Sequence, residues 1–430
     1  MKKAVILAVC FSLALSLWAN GNSDANSSVG KENEEITFLT SAAKFREAFR
    51  EIAAKMEEEE GLKIDIQVIP DDQYQNLIQI KLTSNEVPDI LMNNSPEHYF
   101  AMKVTQTMVD LSNQSWVSRM INPAIVTDDE GRVWAMPMES GSFFGACYYN
   151  MDLLDSLGIS KPAPKTFEEF VNLLKAIKKA NPDIVPLYMN HRDSWTTQVF
   201  MTAGYSIALG DRAPEVYNNI MSNKLKFADV PEFKMVLKNF KRLIDEGLVN
   251  VDHMSAGYDD GLAAVASGKA AMIYNGEWTI SSLEAEGARI GAFIIPWADH
   301  NLMSTGAYVQ GFLVPRKAPN KEGGLKFLDL FSTPEYMDIY YRENPGFPAF
   351  EGVDGGKVNT ELVAMVDKYM NRNATVYQMN DYMSPLAALW GELWGSYVEF
   401  AGGLMTADEV LSYWDRVVEN HMSAIGQPGW

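Results

Sequence analysis

The residues of this chain best suited to chemistry are amides, carboxylates and tryptophans that directly follow apolar runs. Thr40-Ser41 follows the run from Ile36 to Leu39, and Asn93-Asn94 follows Asp89 to Met92. Asn190-His191-Arg192-Asp193-Ser194-Trp195 follows Val185 to Met189, and Asn275-Gly276-Glu277-Trp278 follows Ala270 to Tyr274. Asp, Glu and Asn accept from and donate to hydroxyls, while the indole of Trp covers the apolar face of a sugar ring. The chemistry this suggests is non-covalent capture of a neutral, polyhydroxylated ligand. A single Trp reads as a core anchor and a single Asn as a cap. Four such clusters at successive strand ends favour one shared cleft, because ligands of doubly wound sheets bind outside the carboxyl ends of the strands.

Other chemistries lack their residues. Gly268-Lys269 has neither the upstream glycine nor the following Ser/Thr of a phosphate-binding loop, and there is no G-x-S-x-G or H-E-x-x-H. The five histidines (98, 191, 253, 300 and 421) are scattered without ligand spacing, so no metal and no cofactor are expected. The acidic pairs Asp71-Asp72, Asp128-Asp129 and Asp259-Asp260 read as solvated surface. Two rivals remain on the sequence alone. A polyamine or peptide binder would want more carboxylates than Asp193 and Glu277. A secreted glycoside hydrolase would use Asp193 with Glu139 or Glu277 as its acid/base pair.

The elements that must position these residues come from periodicity. The order strand, helix, strand, helix, strand from Ile36 to Met92 predicts a parallel, doubly wound sheet. Phe45, Phe49, Ile52, Ala53 and Met56 share a helical face, and Gly61 stops that helix. A second α/β unit begins after Met136-Pro137, where Phe143 to Tyr149 reads as a strand. Thr166 with Glu169 three residues on forms a capping box that opens the next helix. At 430 residues the chain is too long for one core, and the expected division is 36–140 with 297–345 for one lobe and 141–296 with 346–430 for the other.

Charge and the first residues bound the setting. A formal net charge of -20 argues against nucleic acid and anionic membrane partners. Lys2 and Lys3, an apolar run from Ala4 to Trp18, and Ala19-Asn20-Gly21 read as a secretory leader cleaved near Gly21. Residues 22–35 read as a flexible tether. Cys10 falls inside the leader and follows Val9 where a lipidation signal has a small residue, so a soluble periplasmic protein without lipid is expected. Cys147 is then the lone thiol, and a buried strand position is its expected place.

Several stretches resemble the extracellular solute-binding proteins of ABC importers, carbohydrate-type family 1, which is maltose-binding-protein-like. They are VPDILMNN, the crossover AMPMESGSFFGACYYNMDLLDSLGI, KPAPKTFEEFVNLLKAIKK, GLAAVASGKAAMIYNGEWTISSL and PRKAPNKEGGLKFLDLFSTPEYM. The resemblance covers nearly the whole chain beyond the leader. It implies two α/β lobes joined by hinge strands, a carbohydrate held between them, a monomer, and delivery to an ABC permease. It also implies roles for residues: Asp193 and Trp195 in a sugar-contacting loop of the second lobe, Trp278 as a stacking position, and Trp390 as an aromatic sugar contact. Asn93 and Asn94, with Ser41 and Glu139, match first-lobe and crossover positions. The loop around Ser41 lacks the aromatic or charged pair of some relatives, and the crossover from Glu139 to Gly145 is longer than in maltose-binding protein.

Overall fold

The computed structural model describes residues 34–430 apart from 96, 97, 129, 307, 308 and 373. The leader and nearly all of the tether lie outside the described residues.

The first lobe grows from strands β1 (Glu34–Ser41), β2 (Leu62–Ile69) and β3 (Ile90–Ser95), with β1 pairing both others in parallel. The helix Ala48–Glu60 links the first two strands and ends at Gly61, whose φ of 66° is the left-handed conformation a glycine adopts without cost. The second helix, Asp71–Ser84, is tied to the sheet by Tyr74, whose hydroxyl donates to Leu39 O at 3.0 Å and Met92 O at 2.5 Å. Its attachment fixes the carboxyl ends of β1 and β3 side by side.

The sheet is not wholly parallel. β10 (Val309–Leu313) returns from far along the chain and lies antiparallel to both β3 and β4 (Met136–Pro137). A strand entering from the other lobe arrives at the cleft end of the sheet and must run back along it.

The second lobe is built on β5 (Ser142–Asn150), buried throughout. β5 runs antiparallel to β7 (Ala270–Gly276), β8 (Ile290–Phe293) and β9 (Met303–Gly306). β6 (Val185–Tyr188) joins β7 in parallel, and β11 (Thr375–Tyr377) joins β9 in parallel. Thr166 Oγ1 accepts from Glu169 N at 3.1 Å, so the cap forms at the expected place; the Glu169 carboxylate reaches back to Lys165 N at 2.7 Å.

Two separate clusters of buried apolar residues define the lobes. The segment 297–306, expected in the first lobe, belongs to the second. Trp297 is fully buried there, stacked on Phe167 at 5.2 Å and donating its indole N–H to Tyr274 Oη at 3.2 Å. Ala349 and Phe350, expected in the second lobe, pack in the first. The crossings thus fall where β4 passes to β5, where β9 passes to β10, and near Phe347. The last is marked by a bridge between Glu139 and Pro348 and by Ser140 N donating to Phe347 O at 3.0 Å. The lobes also touch where the helix Tyr99–Met102 meets the turn Ser384–Leu389.

Candidate functional site

Because β5 is antiparallel to β7 and β9, its amino end lies beside their carboxyl ends. Ser142, Gly276, Gly306 and the residue after Tyr377 therefore share one edge of the second sheet, the edge that faces the hinge. Of the expected site residues of this lobe, Asp193, Trp195, Asn275, Glu277 and Trp278 gather at it.

Two loops are zipped together to hold the first of them. His191 N donates to His253 O at 2.8 Å and Arg192 N to Ala256 O at 3.1 Å. Asn250 exchanges both amide bonds with the backbone of Met189, at 2.8 and 3.0 Å. The Asp193 carboxylate accepts from Tyr258 N at 2.6 Å, so this expected sugar contact spends one oxygen holding the start of the helix Tyr258–Ala266. The result is an aromatic wall. Trp195 meets Tyr258 edge-on at 5.2 Å and Trp278 at 6.5 Å, and Trp278 in turn meets Phe144 at 5.7 Å. Trp278 packs its six-membered ring close against Gly276; a Cβ there would sit 2.1 Å from the indole, so only glycine permits this approach. Both tryptophans are half-buried, as a ligand-facing wall requires.

In the same two loops, His191 and His253 bring their Nδ1 atoms to 2.9 Å. Burial first, and His253 second, push His191 down to about 3, so the pair is neutral and brings the loops together without charge. Among the described residues no group of three or more His, Cys, Asp or Glu is placed to hold a metal ion.

Trp390 does not join the wall. It is 2 % exposed, makes its ring contact with Trp414 at 6.4 Å, and sits in the second-lobe core. Its helix, Trp390–Ala401, braces the Ser194–Thr196 turn, and its indole N–H is buried without a hydrogen-bond partner. Asn93 is likewise structural. It is fully buried, and its amide trades hydrogen bonds with Gln75 at 2.9 and 3.3 Å while accepting from Asn94 N at 3.0 Å. Asn94 is half-buried opposite Gln310 in the β3–β10 pair.

The remaining expected residues come from the first lobe, the crossover and the hinge edge of the second sheet. Ser41 ends β1 at 1 % exposure, with its hydroxyl unpartnered. Asn275 is fully buried; its oxygen accepts from Gly276 N at 2.8 Å and its amino group is unpartnered. Glu277 accepts from Phe143 N at 2.9 Å, and its own N donates to Phe143 O at 3.2 Å, pinning the helix Trp278–Ala285 to the start of β5. Glu139 stands on the crossover. Sequence reasoning missed Tyr258, Arg46, Ser304 and Gln378. Arg46, in the turn after β1, donates to Ala43 O and Phe45 O at 2.8 Å and lies within electrostatic reach of Glu139 and Tyr258. Nothing in the local pattern distinguishes these four; strand crossings and packing bring Tyr258, Ser304 and Gln378 to the edge and Arg46 near it from the first lobe.

Burial pushes the Glu277 carboxyl up to about 8, with Glu139 adding repulsion. It pushes Glu139 up to about 7 against the attraction of Arg46. Both are protonated in the folded protein over a range where an unfolded glutamate is ionised, so the unfolded state binds fewer protons from about pH 4.5 to about 8. Stability is thereby expected to fall as pH rises through that window. Glu277→Gln keeps an acceptor for Phe143 N and removes one titration. The variant is expected to gain on the wild type by about 1–2 kcal/mol between pH 5 and pH 9, discounting the shift for partial exposure. Denaturant melts at a series of pH values check this; parallel profiles for the two proteins would contradict it.

Residues 42–338 match the family model of the bacterial extracellular solute-binding proteins. The multiple sugar-binding protein of Streptococcus mutans is 23% identical over 382 residues, 86% of this chain and 88% of its own. The melibiose/raffinose/stachyose-binding protein MelE of Bacillus subtilis is 24% identical over 278 residues, and the match spans 62% of each chain. Among solved structures, a chitin oligosaccharide binding protein superposes with a TM-score of 0.77 at 19% identity, covering 91% of this chain and 100% of that one. A sugar transporter protein of Bacillus licheniformis in complex with stachyose gives 0.71 at 19%, covering 89% and 98%. At such identities the superpositions establish the two-lobed fold, and the family match over more than half of the sequence establishes descent: the chain belongs to the bacterial extracellular solute-binding proteins.

Proposed function

We propose that this protein captures a mono- or oligosaccharide between its lobes and delivers it, as a monomer, to the transmembrane subunits of an ABC permease. The observation that carries this reading is the wall of Trp195, Tyr258 and Trp278 beside buried, unpartnered hydroxyl and amide groups. A pyranose has an apolar face for the wall and hydroxyls for the polar edge. A polyamine would find Glu277 raised to about 8, Glu139 raised to about 7 and one oxygen of Asp193 already engaged, which argues against that class. The relatives named above bind sugars by name, in keeping with this assignment. In the same reading the leader is removed near Gly21 and the protein works outside the inner membrane without lipid. Among the described residues no helix is long and apolar enough to cross a membrane.

A ligand present at 100 times its dissociation constant adds about 2.7 kcal/mol to stability. Raffinose, stachyose, maltotriose and chitotriose, screened by thermal shift, should include at least one that raises melting by several degrees, with no reducing sugar released. Silence from every sugar alongside a clear shift from spermidine or a peptide would overturn the assignment.

A further inference from the structure

Gln378 is fully buried, and neither its amide oxygen nor its amide nitrogen has a hydrogen-bond partner. Its backbone N donates to Thr305 O at 3.0 Å, which seats it directly after β11, at the hinge edge of the second sheet. Ser304, on the neighbouring strand, is also fully buried with an unpartnered hydroxyl. Leaving such groups unmet is costly, and native proteins rarely do so twice side by side.

Register places these two groups relative to the wall. In the parallel β9–β11 pair Ser304 stands opposite Val376, so Gln378, two residues on, projects from the same sheet face. In the antiparallel β5–β9 pair Phe143 stands opposite Thr305, which puts Phe144 opposite Ser304 and on that face as well. Phe144 is the ring that Trp278 packs against. On that face Val376, Ser304, Phe144 and Gly276, with the indole of Trp278 above it, form one row across the sheet, and Gln378 projects beside that row, one pleat nearer the hinge edge. The apolar end of the row is a stacking platform. Its polar end, with Gln378, offers one carbonyl acceptor, one amino donor and one hydroxyl.

We propose that Gln378, seconded by Ser304, is the specificity-determining group of the site, reading two adjacent hydroxyls of the bound sugar. This rests on the sugar assignment made above. An amide satisfies a vicinal diol by accepting from one hydroxyl and donating to the other, and the low-dielectric surroundings strengthen both bonds. A site whose buried polar groups need a hydroxyl rejects an analogue lacking it, since the protein groups are then left unpaired. Gln378 thus sets which hydroxyl pattern is accepted, while the tryptophans hold any ring.

The test uses Gln378→Met, which keeps volume and shape but removes both polar atoms, together with Ser304→Ala. Each full-length variant is titrated calorimetrically with raffinose, stachyose, maltotriose and chitotriose, and with the deoxy analogues of whichever binds. Its ligand-free melting is measured in parallel. Gln378→Met is expected to lose about 10- to 100-fold in affinity for the bound sugar. It should melt at or above the wild type, because it no longer buries an unmet amide. It should also discriminate less than the wild type against the analogue lacking a ring hydroxyl. Should that variant not fold, Ser304→Ala carries the test, with reduced affinity at unchanged melting. Affinity unchanged within about twofold, with lowered ligand-free melting, would make both groups structural and overturn the proposal. A wild type that binds none of the four sugars would sink the sugar assignment itself, and this inference with it.

Discussion

Replacing Trp390 by alanine is expected to lower the stability of the ligand-free protein by about 3–5 kcal/mol, the usual cost of emptying a large aromatic site in a core. The indole is 2 % exposed and packed with Trp414 among the apolar side chains of the second lobe. Its removal leaves a cavity that the helices Trp390–Ala401 and Ala407–Ala424 cannot close without shifting. The melting temperature of the lobe should drop by about 10 °C. Sugar affinity of the fraction still folded should change little, apart from a secondary effect through the braced Ser194–Thr196 turn. Urea denaturation and thermal melts of the sugar-free variant test this. A ligand-free stability within about 1 kcal/mol of wild type, joined to lost sugar binding, would return Trp390 to the cleft wall.

Trp278→Ala is expected to behave in the opposite way. Its indole can bury about 150–250 Å² in all. Part of it is already packed on Gly276 and Phe144. If half of the area meets ligand, the loss is about 2–3 kcal/mol at roughly 25 cal/mol per Å². That corresponds to a weakening of sugar binding by about 30-fold or more. Trp195→Ala should follow the same direction, since Trp195 leans on Tyr258 and Trp278 from a separate loop. The ligand-free fold should survive both changes because each indole is half-buried, not enclosed. Paired calorimetry and melting separate this from a core role. A Trp278→Ala protein that binds its sugar like the wild type would remove the wall from the site.

These two tryptophans mark where reading the sequence stops being sufficient. Trp278 and Trp390 look alike as letters: each is an aromatic in an apolar neighbourhood at a helix start. Which one faces a ligand depends on what packs over it, and that is set by other segments of the chain, Phe144 and Trp195 for Trp278 and Trp414 for Trp390. Asn93 and Asn275 make the same point. Both are amides at strand ends, yet Gln75 consumes one and leaves nothing to spare, while the amino group of the other stays unpartnered.

What the sequence by itself determined is everything carried by local periodicity and short-range chemistry. It set the opening strand–helix–strand pattern, the Gly61 stop, the Thr166 cap, the buried place of Cys147, and the loop carrying Asp193 and Trp195 at a strand end. These follow from side-chain alternation, helical spacing and capping, each of which acts within a few residues. Only the tertiary structure decided the rest. The antiparallel return of β10, the transfer of residues 297–306 to the second lobe, and the short strand β11 inside a helical tail all depend on pairing between distant segments. So does the recruitment of Tyr258, Ser304 and Gln378 to the hinge edge. A residue's neighbours along the chain cannot report whether its polar atoms will be met, because the partners that would meet them arrive only when the lobes assemble.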